Sequence, residues 1–162
     1  MLRVVVGSAL KWAAFGLHSL FWMNAAILSR VVTSNANVPL FLARRFWGQG
    51  CLQIAGARLE IAPGFVPELG KPYIFAMNHQ SMFDIPVAFV AIPINLRFIA
   101  KKVLRSIPFL GWYMRATDMI FIDRRNREQA VRSLAEACDL IRGGHSVLVY
   151  PEGTRARPGG PI

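Results

Sequence analysis

Acidic residues are scarce in this 162-residue chain: nine Asp and Glu stand against nineteen Lys and Arg, and none occurs before Glu60. The resulting formal charge of +10 calls for an anionic partner, whether nucleic acid, an acidic lipid surface or a phosphorylated substrate. Cysteine is scarcer still. Cys51 and Cys138 lie far apart, with no paired-cysteine or Cys/His ligand spacing, which excludes a disulfide framework and a structural zinc site. Cys138 falls on the apolar side of a predicted helix and is read as a small buried hydrophobe. With 54% hydrophobic residues and no recognisable base-reading module, the chain does not look like a nucleic-acid binder. Arginine far outnumbers lysine, and its planar fork suits phosphates. The length accommodates one domain with a real core.

Long uncharged runs are also few, and the one that exists is informative. The 18 residues from Trp12 to Ser29 contain no Asp, Glu, Lys or Arg. As a helix they would reach about 27 Å, slightly short of a hydrocarbon core of roughly 30 Å. His18, Ser19 and Asn24 dilute the run, so it is borderline as a span and well suited to a tilted or interfacial helix. A signal peptide is disfavoured, because the apolar stretch is long and Ser29-Arg30-Val31-Val32 makes a poor cleavage site. Arg3, Lys11, Arg30, Arg44, Arg45 and Arg58 surround it without a single acid. Each is worth about 1 kcal/mol near an anionic leaflet, so the segment is expected to hold the chain against the cytoplasmic face of the plasma or inner membrane. Trp12, Trp22 and Trp47 could anchor it at the interface or simply pack in the core. After the break at Asn35 to Pro39, Val38 to Trp47 reads as a second amphipathic helix. Residues 1–50 are thus assigned to membrane-associated helices.

Beyond Cys51 the character changes. Arg58 to Ala62, Tyr73 to Met77, Leu96 to Ala100, Met119 to Asp123 and Ser146 to Tyr150 read as strands. Arg127 to Arg142 reads as a helix with Ala130, Leu134, Cys138 and Ile141 on its apolar face, Val131 and Ala137 widening the stripe, Asn126 as its cap and Gly143-Gly144 as its stop. Strands alternating with helices imply an α/β domain over 51–162, with a mostly parallel sheet flanked by helices. Functional residues in such folds gather beyond the carboxyl ends of the strands. Three predicted strands run into polar clusters there: Asn78-His79, Asp123-Arg124-Arg125 and Pro151-Glu152-Gly153-Thr154-Arg155.

His79 and Asp84 stand five positions apart, a spacing about 140° apart on a helix, so their side chains meet only across a strand-to-helix turn. Ser81-Met82-Phe83-Asp84 has the pattern of a helix capping box, in which Asp84 would satisfy backbone donors. A histidine held by a carboxylate is also a common general base. The two roles are compatible. By themselves Arg124 reads as a surface partner of Asp123 and Gly153 as a turn residue that would allow close backbone approach. Lys101, Lys102 and Arg105 form a basic stretch that meets anionic headgroups or phosphates, or is merely solvated.

Taken together, Asn78-His79 to Asp84, Phe121-Ile122-Asp123-Arg124 and Pro151-Glu152-Gly153-Thr154-Arg155 resemble the ordered blocks of the glycerolipid acyltransferases, the 1-acylglycerol-3-phosphate acyltransferases and their relatives. Lys101 to Leu104 and Pro108 to Trp112 are similar to the segment that family carries between its first two blocks. The resemblance covers roughly Leu59 to Thr154. It implies that His79 deprotonates the acceptor hydroxyl and that Asp84 orients the imidazole. It further implies that Arg124 and Arg155 clamp the acceptor phosphate, and that Glu152, Gly153 and Thr154 help position it. The acyl donor would be acyl-CoA or acyl carrier protein and the acceptor a lysophospholipid, with no cofactor or metal.

Two positions depart from the family pattern: Asp118 stands where glycine is frequent and Ala156 where serine is frequent. The family continues for several tens of residues after its third block, so the chain is expected to be a fragment or a shortened relative. Alternatives to phosphatidic acid synthesis are the same chemistry on glycerol 3-phosphate or a lyso-aminolipid, and an inactive protein bound peripherally to membranes.

Overall fold

The computed structural model describes the backbone of residues 2–64 and 66–153 and the side chains from Val6 onward. Its first element, α1 (Leu2–Thr33), takes up the uncharged run whole. One stripe of α1 faces the protein through Phe15, Ser19, Trp22, Met23 and Ala26, while Trp12, Leu17, Leu20, Phe21, Leu28, Val31 and Val32 remain exposed. A helix apolar on both sides belongs to a core or to a lipid environment. Among the described residues no helix is long and apolar enough to cross a membrane.

The expected helix from Val38 to Trp47 is longer than the sequence suggests. It comprises α2 (Asn37–Leu42), a π-helical turn at Ala43–Trp47 and α3 (Gly48–Ala55), and so runs across residue 50, where the sequence character changes. Gly56 ends it in the left-handed conformation, with φ of 73°. The reason for the extension lies in packing. The His18 Nε2–H donates to the Trp47 carbonyl at 3.1 Å and the Trp47 indole donates to Ser19 Oγ at 3.1 Å, stapling α1 across the π turn.

Among the described residues four short strands form the sheet: β1 (Ile74–Ala76), β2 (Leu96–Lys101), β3 (Ile120–Ile122) and β4 (Ser146–Val149), in the order β1-β4-β2-β3. Every pairing is parallel, with Phe75 opposite Leu148, Phe98 opposite Leu148 and Ala100 opposite Phe121. All four carboxyl ends therefore lie on one side. Alternation along the strands sends Leu96, Phe98, Leu148 and Tyr150 to a core shared with Leu40, Ala43, Phe89 and Met114. Those partners come from α2, the π turn, α4 (Asp84–Ala91) and α5 (Leu110–Ala116). The opposite sheet face packs Ile120 and Val147 against Ala137 of α6 (Arg127–Arg142).

Helix α6 has the expected limits, and Asn126 caps it by accepting from the Gln129 amide at 3.0 Å. Of its expected inner face Ala137 is buried, but Val131, Leu134 and Cys138 are exposed, and Ser133 is buried instead. Ser133 Oγ donates to the Phe121 carbonyl at 2.8 Å, and that bond to β3 turns the helix by about one residue from the orientation hydrophobicity alone would choose. The segment from Arg58 to Ala62 is also corrected: it forms no strand, and with no ladder to join, its side chains are largely exposed.

Candidate active site

Pairing with β4 continues one residue past β1, since the Met77 amide donates to the Val149 carbonyl at 3.1 Å. The chain then leaves the sheet at Asn78 and folds around one carboxylate. Asp84 Oδ2 accepts from the Gln80 amide at 2.7 Å, the Ser81 amide at 2.9 Å and His79 Nδ1 at 2.8 Å. Ser81 Oγ accepts in turn from the Phe83 amide at 3.2 Å, which completes the cap of α4. Helix cap and histidine partner are therefore the same atom. Burial pushes the Asp84 pKa up, but the bonds from Ser81, His79 and Gln80 together with the imidazole charge outweigh it and hold the carboxyl below its ordinary range. With the Nδ1 proton donated to Asp84, Nε2 carries the free lone pair.

The imidazole is held from its other side by a residue the motif reading overlooked. Tyr150 stacks on His79 with centroids 4.2 Å apart and planes at 25°. Burial, then the charge of Asp84, push its phenol up. The signal was present in the strand period, since Tyr150 follows Leu148 by two and so faces the same side of the sheet. Phe83, next to Asp84, lies 5.6 Å from the ring of Phe15, so α1 also braces the turn.

The remaining strand ends bring three further groups to the same place. Arg124 follows β3, Gly153 follows β4 and Lys101 ends β2, and all three line one cavity with His79. Arg124 carries no carboxylate partner among the described residues. Asp123 is engaged elsewhere, by Lys102 Nζ at 3.4 Å and the Arg125 amide at 3.1 Å, so the Asp123 pairing weighed for Arg124 is not formed. The guanidinium instead rests on Gly153, whose φ of 70° and missing Cβ both matter, since a Cβ there would overlap it. Glu152 is exposed and does not line the cavity. Thr154 and Arg155 lie outside the described residues.

The cavity has a volume of about 540 Å³. Away from the polar strand ends its wall is apolar, with Phe15, Trp22 and Met23 of α1 facing Phe89 and Met114. An imidazole, a guanidinium with no carboxylate partner among the described residues and a hydrocarbon-lined space thus adjoin one another. Among the described residues no three His, Cys, Asp or Glu side chains stand close enough to hold a metal ion.

The chain is similar to known proteins in sequence and in fold. The yeast Saccharomyces cerevisiae 1-acyl-sn-glycerol-3-phosphate acyltransferase is 39% identical over 87 residues, covering 53% of this chain and 29% of that protein. A lyso-ornithine lipid O-acyltransferase from Rhodobacter capsulatus is 35% identical over 105 residues, covering 64% of this chain and 36% of its own length. This chain therefore spans only about a third of the length of these relatives. The crystal structure of the 1-acyl-sn-glycerophosphate acyltransferase PlsC from Thermotoga maritima superposes with a TM-score of 0.77 at 23% identity, covering 99% of this chain and 65% of that one. That likeness establishes the α/β fold. The acyltransferase family model matches residues 58–161, most of the chain and all three polar blocks, and the chain belongs to the acyltransferase family.

Proposed function

We propose that the protein transfers an acyl group from a thioester, acyl-CoA or acyl carrier protein, to the free hydroxyl of a lysophospholipid, with 1-acylglycerol-3-phosphate as acceptor and phosphatidic acid as product. The observation that carries this reading is the His79 Nδ1 to Asp84 contact at 2.8 Å beside the unpaired Arg124 on one apolar cavity. His79 Nε2 takes the hydroxyl proton as the oxygen attacks the thioester carbon. The carbon–sulfur bond then breaks, and the same proton returns to the departing sulfur as a thiol. A thioester is already activated, so positioning and a base worth about 10²–10⁴ in rate suffice, and no cofactor is required.

Arg124 clamps the acceptor phosphate, with Arg155, Glu152, Gly153 and Thr154 contributing as the family motif implies. Its freedom from carboxylates among the described residues favours a phosphate-bearing acceptor over a lyso-aminolipid such as the Rhodobacter relative's name describes. The apolar wall suits the acyl chain. Residues 1–50 hold the protein on the cytoplasmic face of the plasma or inner membrane, with α1 lying in the interface and its cations toward anionic headgroups.

The test is acylation of lysophosphatidic acid by membranes bearing the protein, with acyl-CoA and acyl carrier protein thioesters, against His79→Ala. Activity at least about 10²-fold above the variant is expected. Equal rates in the two would remove His79 from catalysis.

A further inference from the structure

Between Asp84 and Asp118 the chain again has no acid, while Arg97, Lys101, Lys102, Arg105 and Arg115 fall in that interval. In its middle lies an unusual backbone conformation. Phe109 has φ of 60° and ψ of −54°, and the Leu110 amide donates to the Pro108 carbonyl at 2.7 Å across it. This is a γ-turn of the positive-φ kind, strained for any residue with a Cβ and kept only where the surroundings enforce it. Gly111 supplies part of that enforcement, since it packs so closely on the Arg105 carbonyl that a Cβ there would overlap it.

The turn makes this short segment apolar on both sides. Leu104 and Leu110 face the cavity, whereas Val103, Ile107, Phe109 and Trp112 are exposed, with the Phe109 and Trp112 rings 5.0 Å apart. Arg105 and Arg115 flank these rings in sequence, and neither has a carboxylate partner among the described residues. Helix α5, which carries Trp112, packs against α1. Arg105 also lies over the Phe121 ring at 5.8 Å, and exposed aromatic and aliphatic side chains among cations that have no carboxylate partner match the polar and apolar layers of an anionic bilayer surface.

We infer that Val103, Ile107, Phe109 and Trp112 form a second membrane contact, separate from α1, that seats the cavity wall on the lipid surface. The inference rests on the membrane association proposed above. It assigns the strained turn a role: the γ-turn holds Phe109 outward as a wedge. With two contacts the chain takes a fixed orientation on the bilayer, and a single-chain amphiphile can pass from lipid to cavity without crossing water.

The test uses the full chain with Cys138→Ser and a polarity-sensitive fluorophore at Val103→Cys, or at Val131→Cys on α6 as control. Probes are phosphatidylcholine vesicles with and without phosphatidylglycerol, and vesicle pelleting is measured in parallel. Blue-shifted emission at position 103 with phosphatidylglycerol vesicles, and none at 131, is expected. Phe109→Gly should melt no lower than the parent, because glycine accepts the positive φ, yet bind vesicles about tenfold more weakly, equivalent to about 1.4 kcal/mol. Pelleting with an aqueous signal at 103, equal shifts at both positions, or unchanged binding by Phe109→Gly overturns the second contact while leaving α1 as the anchor. A shift with acidic carrier protein but not with vesicles overturns it in favour of a protein partner. Failure to pellet at all removes the membrane association itself.

Discussion

Replacing Asp84 by Asn separates the two duties that one carboxylate performs. The side chain keeps its size and an acceptor oxygen for the Gln80 and Ser81 amides, 2.7 and 2.9 Å away, but loses its charge. Toward His79 the loss is larger. An uncharged amide neither stabilises the imidazolium formed during proton transfer nor fixes the tautomer that leaves Nε2 free. Turnover should therefore fall by about 10³–10⁴, as when a base's orienting carboxylate is neutralised in other enzymes. The stability cost is modest, because the amide retains partners even though the carboxylate is only about a fifth exposed: about 1–2 kcal/mol, or roughly 2–8 °C in melting temperature. Initial rates measured well below the melting transition, alongside thermal unfolding followed by circular dichroism, give both numbers. Ser81→Ala is the matching control. It removes only the acceptor of the Phe83 amide and should lower stability by about 1 kcal/mol with turnover preserved. If Asp84→Asn unfolds earlier yet retains turnover within about threefold, Asp84 is a helix cap and nothing more, and the catalytic pair is refuted.

Other consequences follow from the same geometry. Gly153→Ala places a methyl group against the Arg124 guanidinium at a φ of 70°, so it should raise KM for a phosphorylated acceptor as Arg124→Ala does, with a smaller change in KM for the thioester. A parallel rise in both KM values would show that Arg124 does not discriminate the acceptor. Because Asp84 titrates lower in the folded chain than when unfolded, its contribution to stability is complete above the unfolded value near 3.9 and is lost as pH falls through the folded one. Acid unfolding should accordingly be less steep in Asp84→Asn, and identical acid titrations of the two proteins would contradict the shift. Burial pushes the Cys51 thiol up to about 12 against an opposing hydrogen bond with Ser19, while Cys138 is exposed. A thiol reagent should titrate one cysteine in the native protein and two in denaturant, and rapid reaction of both would mean that α1 and α3 separate readily.

The strands were legible because each is a short apolar run closed by turn residues, and in a parallel sheet such runs need no alternation to be seen. Asn126 and Gly143 marked α6 to the residue for the same local reason. Its rotation was not legible: Ser133 is polar, and its inward turn depends on a carbonyl of β3 that no local pattern reveals. Helix α4 was marked only at its start, by the capping pattern at Ser81 to Asp84, because Asp84–Ala91 is almost wholly apolar, and α5 escaped notice because Leu110–Ala116 is only two turns long; neither has a polar face to set a period. Of the site, His79, Asp84, Arg124 and Gly153 were visible as residues of ordered blocks. What the blocks could not convey is the company of those residues, namely the Tyr150 ring on His79 and the α1 side chains that wall the cavity.

That the carboxylate beside His79 also starts a helix bears on how such a chain decays when selection on its chemistry lapses. Folding alone would continue to favour Asp84, because two backbone amides depend on it, whereas the hydrogen bond His79 gives is one the carboxylate can spare. Substitutions should then accumulate first at the base. An aspartate at this position in a diverged sequence accordingly speaks for an intact turn, and the histidine five residues before it is the better marker of a working enzyme.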